Sequence, residues 1–327
     1  MTLSRFATRL NSFSSAPQLF WPDLRGKPTM MQMAERAART EGLTDLDLNF
    51  PDHIHDEPQA IAHRIGDLGL AINGLAMRYY TNPAFKLGAF THPDRSVRQE
   101  AIDLTRRGID AARAMGVDLM TIWLGQDGFD YSFGLDYAQA WDFEVAGIRA
   151  VAEHDPACRI SIEYKPDEPR AHSLLGDAAT TLLAIAEAGA PNLGVTIDFA
   201  HALYAGEQPA FAAHLIHRRS RLFGVHLNDG YAKRDDGLMV GAVHLRETLE
   251  LLRHIRRDGY DGALYFDTFP DTSGLDPVAE CEVNIATVRR LLTIADRLDG
   301  DNRLGEALGR QDAVASQAIV NELLIGA

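Results

Sequence analysis

Eight short apolar stretches, each followed by a longer amphipathic one, limit what this chain can fold into more than any other feature. The strand-like stretches are residues 8–13, 46–50, 71–79, 119–125, 159–165, 194–199, 222–228 and 264–269. Helical periodicity covers 30–40, 58–68, 96–114, 136–152, 177–188, 209–217, 244–257 and 277–297. Strands that alternate with helices build a parallel sheet, because each connection must cross back to start the next strand from the same end. Eight such units is the number that closes the sheet on itself, so the pattern predicts a (β/α)8 TIM barrel over residues 1–297. Beyond it, Leu298-Asp299-Gly300-Asp301-Asn302 reads as a turn and residues 304–324 as one more amphipathic helix, with Leu304, Ala307, Leu308, Ala313 and Leu324 apolar. This extension, residues 298–327, has to bury its stripe on its own barrel or on a neighbouring subunit, and a homodimer or homotetramer is expected.

Charge narrows the partners. The net charge of −14 comes with no Lys/Arg cluster of the kind that tracks a phosphate backbone. Nucleic acid and anionic membrane surfaces are therefore excluded as partners, which leaves divalent cations and small molecules. Cys158 and Cys281 give neither a disulfide framework nor metal-ligand spacing and read as reduced thiols. The sequence has no secretory start and no run near the roughly 20 apolar residues of a membrane helix, so a soluble cytoplasmic protein is expected.

In a barrel the carboxyl ends of all strands meet at one face, where chemistry is done. Glu163, Asp198, His226 and Asp267 stand at the ends of the fifth to eighth predicted strands. Singly, a strand-end Asp is a turn former and a His a core residue. Together, three carboxylates and one imidazole suit a hard or borderline divalent ion, Mg²⁺, Mn²⁺ or Co²⁺. A second ion is expected beside the first, bridged by Asp198 and held by His201 and one or both of Asp235 and Asp236, although Asp235-Asp236-Gly237 also reads as a solvated turn. Lys165 lies two residues beyond Glu163 and so shares its face of the strand, unless it is a surface lysine. Trp123, before Leu124-Gly125-Gln126-Asp127-Gly128, is placed either at the barrel mouth as a wall for a sugar face or in the core. Asn11, Arg78, His53 and His55 fall at the ends of strands one, three and two and could donate to hydroxyls, and Glu168 is a further candidate substrate contact.

These motifs resemble those of the xylose isomerase-like family of metal-dependent barrels. Glu163-Tyr164-Lys165-Pro166-Asp167-Glu168-Pro169 is similar to the Glu-Pro-Lys-Pro-x-Glu-Pro segment of xylose isomerases. Trp123-Leu124-Gly125-Gln126-Asp127-Gly128 looks like their Trp-Gly-Gly-Arg-Glu-Gly turn, and His226-Leu227-Asn228-Asp229 with Asp235-Asp236 looks like their acidic loop. The resemblance covers about residues 8 to 297. It implies an aldose-ketose isomerase acting on a free pentose, deoxyhexose or branched aldose with two divalent ions per subunit. Glu163, Asp198, His226 and Asp267 would hold one ion; Asp198, His201 and the Asp235-Asp236 pair would hold the other. Lys165 and Trp123 would contact substrate, and His53 falls near the family's ring-opening histidine. The set Glu, Asp, His, Asp looks more like the rhamnose isomerases of the superfamily than like xylose isomerase itself. A ketose 3-epimerase or an inosose isomerase or dehydratase is the alternative, with Asp267 where the epimerases carry a glutamate. No basic pocket is evident, which speaks against a sugar phosphate.

Overall fold

Eight parallel strands close into a barrel in the computed structural model of the protein, which describes residues 3–326. They are β1 (Phe6–Arg9), β2 (Asp45–Phe50), β3 (Ala71–Met77), β4 (Leu119–Trp123), β5 (Arg159–Glu163), β6 (Leu193–Asp198), β7 (Leu222–Leu227) and β8 (Leu264–Phe266), each beside its sequence neighbour, with β8 closing on β1. Around them run α1 (Met30–Ala37), α2 (Pro58–Asp67), α3 (Arg95–Ala114), α4 (Tyr137–Ala152), α5 (Ala178–Ala188), α6 (Pro209–Arg219), α7 (Leu245–Arg257) and α8 (Pro277–Asp299). The (β/α)8 barrel expected from the alternation is present.

Local sequence explains the helix starts. Asp94, Asp136, Asp177 and Asp276 cap α3, α4, α5 and α8 by accepting from Ser96, Gln139, Thr180 and Val278 backbone N–H groups. Thr29 and Gln32 form a reciprocal capping box on α1. The strands are buried on both faces, as a helix-covered parallel sheet requires. On β2, Leu46, Leu48 and Phe50 join the main apolar core, while Asp45, Asp47 and Asn49 take the other face.

Two elements differ from the sequence reading. The first strand stops at Arg9, and Leu10–Ser14 is a 3₁₀ turn rather than strand. Leu10 and Phe13, both buried, are three residues apart; a 3₁₀ turn puts them on one side, whereas an extended strand would send them to opposite faces. The single C-terminal helix is instead two, α9 (Asn302–Gly309) and α10 (Ala313–Asn321), followed by a π turn at Glu322–Gly326. The chain breaks at Gln311, whose φ of 55° is left-handed, and Asp312 caps the restart by accepting from Ala315 N–H. Leu304, Ala307, Ile319 and Leu323 are buried, and the extension packs on its own barrel. Among the described residues no helix is long and apolar enough to cross a membrane.

Docking of the extension sets a stability expectation. Leu304→Ala removes a side chain that is 4% exposed and should cost about 2–3 kcal/mol in chemical denaturation. Leu308→Ala, at a position 50% exposed, should stay within about 0.5 kcal/mol of the parent. Equal effects would mean that α9 does not dock.

Candidate active site and metal centre

Register alone brings the four strand-end residues together. Asp198 on β6 pairs directly with His226 on β7, and Glu163 on β5 pairs with Thr196, two residues before Asp198 and so on the same face. Asp267 directly follows β8, two residues beyond Tyr265, the partner of His226. One ligand atom from each of Glu163, Asp198, His226 and Asp267 lies within 4.8 Å of every other. His226 Nδ1 is 3.4 Å from Glu163 Oε1 and 4.0 Å from Asp198 Oδ2.

His201 and Asp235 form a second group at its side. His201 opens a short helix, Phe199–Tyr204, whose N-cap is Asp198. Its Nδ1 lies 3.0 Å from the Tyr164 carbonyl, 3.6 Å from Glu163 Oε1 and 4.0 Å from Asp198 Oδ1, while Nε2 lies 3.2 Å from Asp235 Oδ2. Asp198 is therefore equidistant from both imidazoles. Lys165 Nζ reaches Asp235 Oδ2 at 3.1 Å and Glu168 Oε2 at 3.0 Å, and stands 5.5 Å from the centre of the Trp123 ring. Gly125 permits that ring position, since a Cβ there would sit 2.4 Å from Trp123 Cζ2.

The electrostatics of this cluster call for a cation. Burial, with Asp235, Asp267 and Glu163 adding to it against His201, pushes the Asp198 carboxyl up to about 7. Burial would lower the His226 imidazole, but Glu163 above all, then Asp267 and Asp198, hold it up at about 9. The same contest raises His201 to about 9, with Asp198 and Asp235 overcoming burial. For Glu163 burial acts upward and is outweighed by His226 and His201, which bring it down to about 2. Buried charges of one sign are tolerated only when paired or metal-bound. His226 Nδ1, Asp267 Oδ1 and Asp235 Oδ1 are buried without a hydrogen-bond partner. A set of buried oxygens and an imidazole nitrogen lacking donors fits a divalent metal, with Glu163, Asp198, His226 and Asp267 as its ligands.

A supporting layer fixes these ligands. Asn228 Nδ2 donates to both Asp198 oxygens, at 3.2 and 3.0 Å, and to the Asp267 carbonyl at 3.2 Å, while its own carbonyl accepts from Ala200 N–H. Arg9 Nε lies 3.7 Å from Asp267 Oδ1. Asp229 anchors the loop that carries Asp235, accepting from the Gly230, Val243 and His244 backbone N–H groups and facing His244 Nδ1 at 2.9 Å.

The cavity above the cluster, about 580 Å³, is lined by Glu163, Lys165, His201, Asp235 and Asp267, and also by Trp123, Arg78 and Glu168. The remaining sequence candidates lie elsewhere. Asp236 accepts from Tyr231 N–H and pairs with Arg234 at 2.8 Å, so it serves its own loop and Asp235 is the carboxylate presented to the site. His53 and Asn11 are turned on each other: Nδ1 accepts from Asn49 N–H at 3.0 Å, which leaves Nε2–H to donate to Asn11 Oδ1 at 2.7 Å. Burial, then Arg78, His55 and Arg9, lower His53 to about 3 and keep it neutral. His55 is exposed. Arg9 and Phe269 also line the cavity and are not evident from the sequence: Arg9 ends a first strand predicted to run to residue 13, and Phe269, in the predicted eighth strand, reads as an ordinary apolar strand residue. Asn228 was visible in the motif, but nothing in the sequence marked it as the group that holds Asp198.

Comparison with known proteins agrees with this geometry. Residues 35–292 match the family described as the xylose isomerase-like TIM barrel. Xylose isomerase of Thermus thermophilus is 28% identical over 246 residues, covering 72% of this chain and 64% of that enzyme's length. Among solved structures, a D-tagatose 3-epimerase-like protein superposes with a TM-score of 0.72 at 15% identity, covering 90% of this chain and 98% of its own. An L-ribulose 3-epimerase does so with a TM-score of 0.72 at 18% identity, covering 91% and 97%. At these identities the likeness is one of fold.

The supporting layer yields a test by calorimetry with Mn²⁺. Asn228→Ala should weaken binding about 10- to 100-fold, because Asp198 loses its orienting donors. Asp236→Asn should change it by no more than about twofold, because Asp236 is held by Tyr231 N–H and Arg234 within its own loop and does not line the cavity. The reverse ranking would place the wrong carboxylate at the site.

Proposed function

The chain belongs to the xylose isomerase-like TIM barrel family, and on that premise we propose that it is a divalent-metal-dependent sugar isomerase that interconverts an aldose and its 2-ketose by a hydride shift between C1 and C2. The observation that carries this reading is Lys165: a buried lysine at the end of β5, turned into the cavity beside the ligand cluster and facing His201 and Asp235. Glu163, Asp198, His226 and Asp267 would hold one ion, Mn²⁺ or Mg²⁺ by the hardness of their donors and Co²⁺ as a further fit, and Asp198, His201 and Asp235 would hold a second. A cation bound there supplies Lewis-acid polarisation of adjacent sugar oxygens.

The protein's own groups do the rest. Burial works against the Lys165 charge, but Asp235 and Glu168 raise its pKa, so it remains an ammonium ion able to hold a carbonyl oxygen as negative charge develops on it. Asp235 Oδ1, buried and free of hydrogen bonds, is available to accept from a sugar hydroxyl. Trp123, with Tyr80 packed edge-on at 5.7 Å, offers an aromatic wall to the apolar face of the sugar and keeps water from it.

The second reading is a ketose 3-epimerase, or an inosose isomerase or dehydratase, working by proton transfer. Glu163 and Asp267, which stand at the ends of the first and last of the four strands that supply the cluster and both line the cavity, favour it, since a pair of carboxylates can act as two bases. Under that reading Lys165 has no assigned part.

Proton NMR separates the two. Metal-stripped protein reloaded with Mg²⁺ is incubated with a panel of aldoses in D₂O. The isomerase reading expects an aldose to become its 2-ketose with no deuterium at C1. Deuterium at C3 of a ketose, with no aldose formed, would establish the epimerase instead.

A further inference from the structure

Two arginines of the cavity, Arg9 and Arg78, have no part in the isomerisation of a neutral sugar. Three Lys and Arg side chains line the cavity, Lys165, Arg9 and Arg78, beside His201, which is paired with Asp235. Lys165 is neutralised by Asp235 and Glu168. Arg9 stands over the Phe269 ring, 4.7 Å from its centre, and is shared between Asp267 at 3.7 Å and Asp271 at 3.6 Å. Arg78, immediately after β3, forms no ion pair with any carboxylate among the described residues, and its Nε is buried without a hydrogen-bond partner. The Nη1 of Arg9, 3.6 Å from Asp271 Oδ1, is buried and makes no hydrogen bond either. A buried guanidinium N–H left without an acceptor is destabilising, so such donors are normally met by protein, water or ligand.

Placement says what should meet them. The metal ligands come from β5 to β8, whereas Arg9 and Arg78 end β1 and β3, on the other arc of the barrel mouth. A sugar whose reacting oxygens lie against the ligand cluster would extend its far end towards these two arginines. We propose that the substrate is an aldose carrying a carboxylate at the end remote from its carbonyl, a uronic acid, and that Arg78, with Arg9 beside it, is the specificity-determining group that receives it. This rests on the isomerase reading for the reaction but not for the binding. The charge count favours a carboxylate over a phosphate. Of Lys165, Arg9 and Arg78, only Arg78 has no carboxylate in ion-pair contact among the described residues, its charge being felt by Glu163 and Asp47 at longer range; one such cation matches a monoanion, and a planar guanidinium fork suits a planar carboxylate. The sequence reading that no basic pocket is evident is corrected here, since Lys165, Arg9 and Arg78 all line the cavity. It could not show that one arginine would be left unpaired.

Calorimetry on the Mg²⁺-loaded full chain tests this with glucuronate, galacturonate and mannuronate, each beside its parent hexose and that hexose's 6-phosphate. At least one uronate should bind about 10- to 100-fold tighter than its parent hexose, the range of a charge-assisted hydrogen bond. Arg78→Gln should bring that ratio to near one, and Arg78→Lys, which restores a point charge without the fork, should recover part of it. The wild-type ratio is itself a readout that needs no variant to fold. No uronate preference, a preference that survives Arg78→Gln, or tighter binding of a 6-phosphate than of the uronate would each overturn the proposal. An Arg78-dependent uronate preference with no isomerisation of any sugar would leave this inference standing and remove the isomerase reading. Isomerised neutral aldoses with no uronate preference would do the reverse.

Discussion

Mutual repulsion among carboxylates at the barrel mouth is the constraint on which the rest of the site depends. At an effective dielectric constant near 20, two like charges about 4 Å apart repel by about 4 kcal/mol. Here Glu163, Asp198 and Asp267 are held within that range, with Asp235 close by. Such an arrangement persists only if the backbone fixes it and positive charge relieves it. The closed sheet does the first, since Asp198 and His226 are partners in register and cannot separate without breaking the β6–β7 ladder. His226, His201, Arg9 and Lys165 contribute to the second, and the unpartnered ligand atoms mark where a cation would complete it.

Hydrogen bonding separates the carboxylates committed to the fold from those left with an unpartnered oxygen. Asp229 is fully buried and takes donors on both oxygens, so it is spent on holding its loop. Asp236 is likewise committed within its own turn. Asp267 and Asp235 each keep a buried oxygen with no donor, although they are near Arg9 and Lys165 respectively. That cost is retained where a ligand is to be bound. Arg9, Arg36, Arg78, Arg106 and Arg159 each have a buried nitrogen without a hydrogen bond, and among these only Arg78 lacks an ion pair with a described residue.

Much of this was legible in the sequence. The alternation of strand and helix fixed the barrel, and the barrel rule that strands end at one face made Glu163, Asp198, His226 and Asp267 a group before any coordinates were known. The rest was hidden for physical reasons. Apolar content cannot show where extended backbone stops, so a run through Phe13 concealed that the strand ends at Arg9 and that Leu10–Ser14 coils. Two adjacent aspartates are indistinguishable by residue type, and only the path of the loop turns Asp235 to the cavity and Asp236 onto Tyr231 and Arg234. His53 sat near a strand end, but its two nitrogens are occupied by Asn49 and Asn11, a pairing that depends on how β1 and β2 meet. The C-terminal extension kept its helical period while the left-handed backbone at Gln311 broke it in two.

The most direct test of the account is an anomalous difference map from crystals of the protein grown with Mn²⁺. The account predicts a peak bonded to Glu163, Asp198, His226 and Asp267 together, with any second peak beside Asp198, His201 and Asp235. A Mn²⁺-saturated crystal with no peak among those four residues, or with manganese bound only elsewhere, would contradict it.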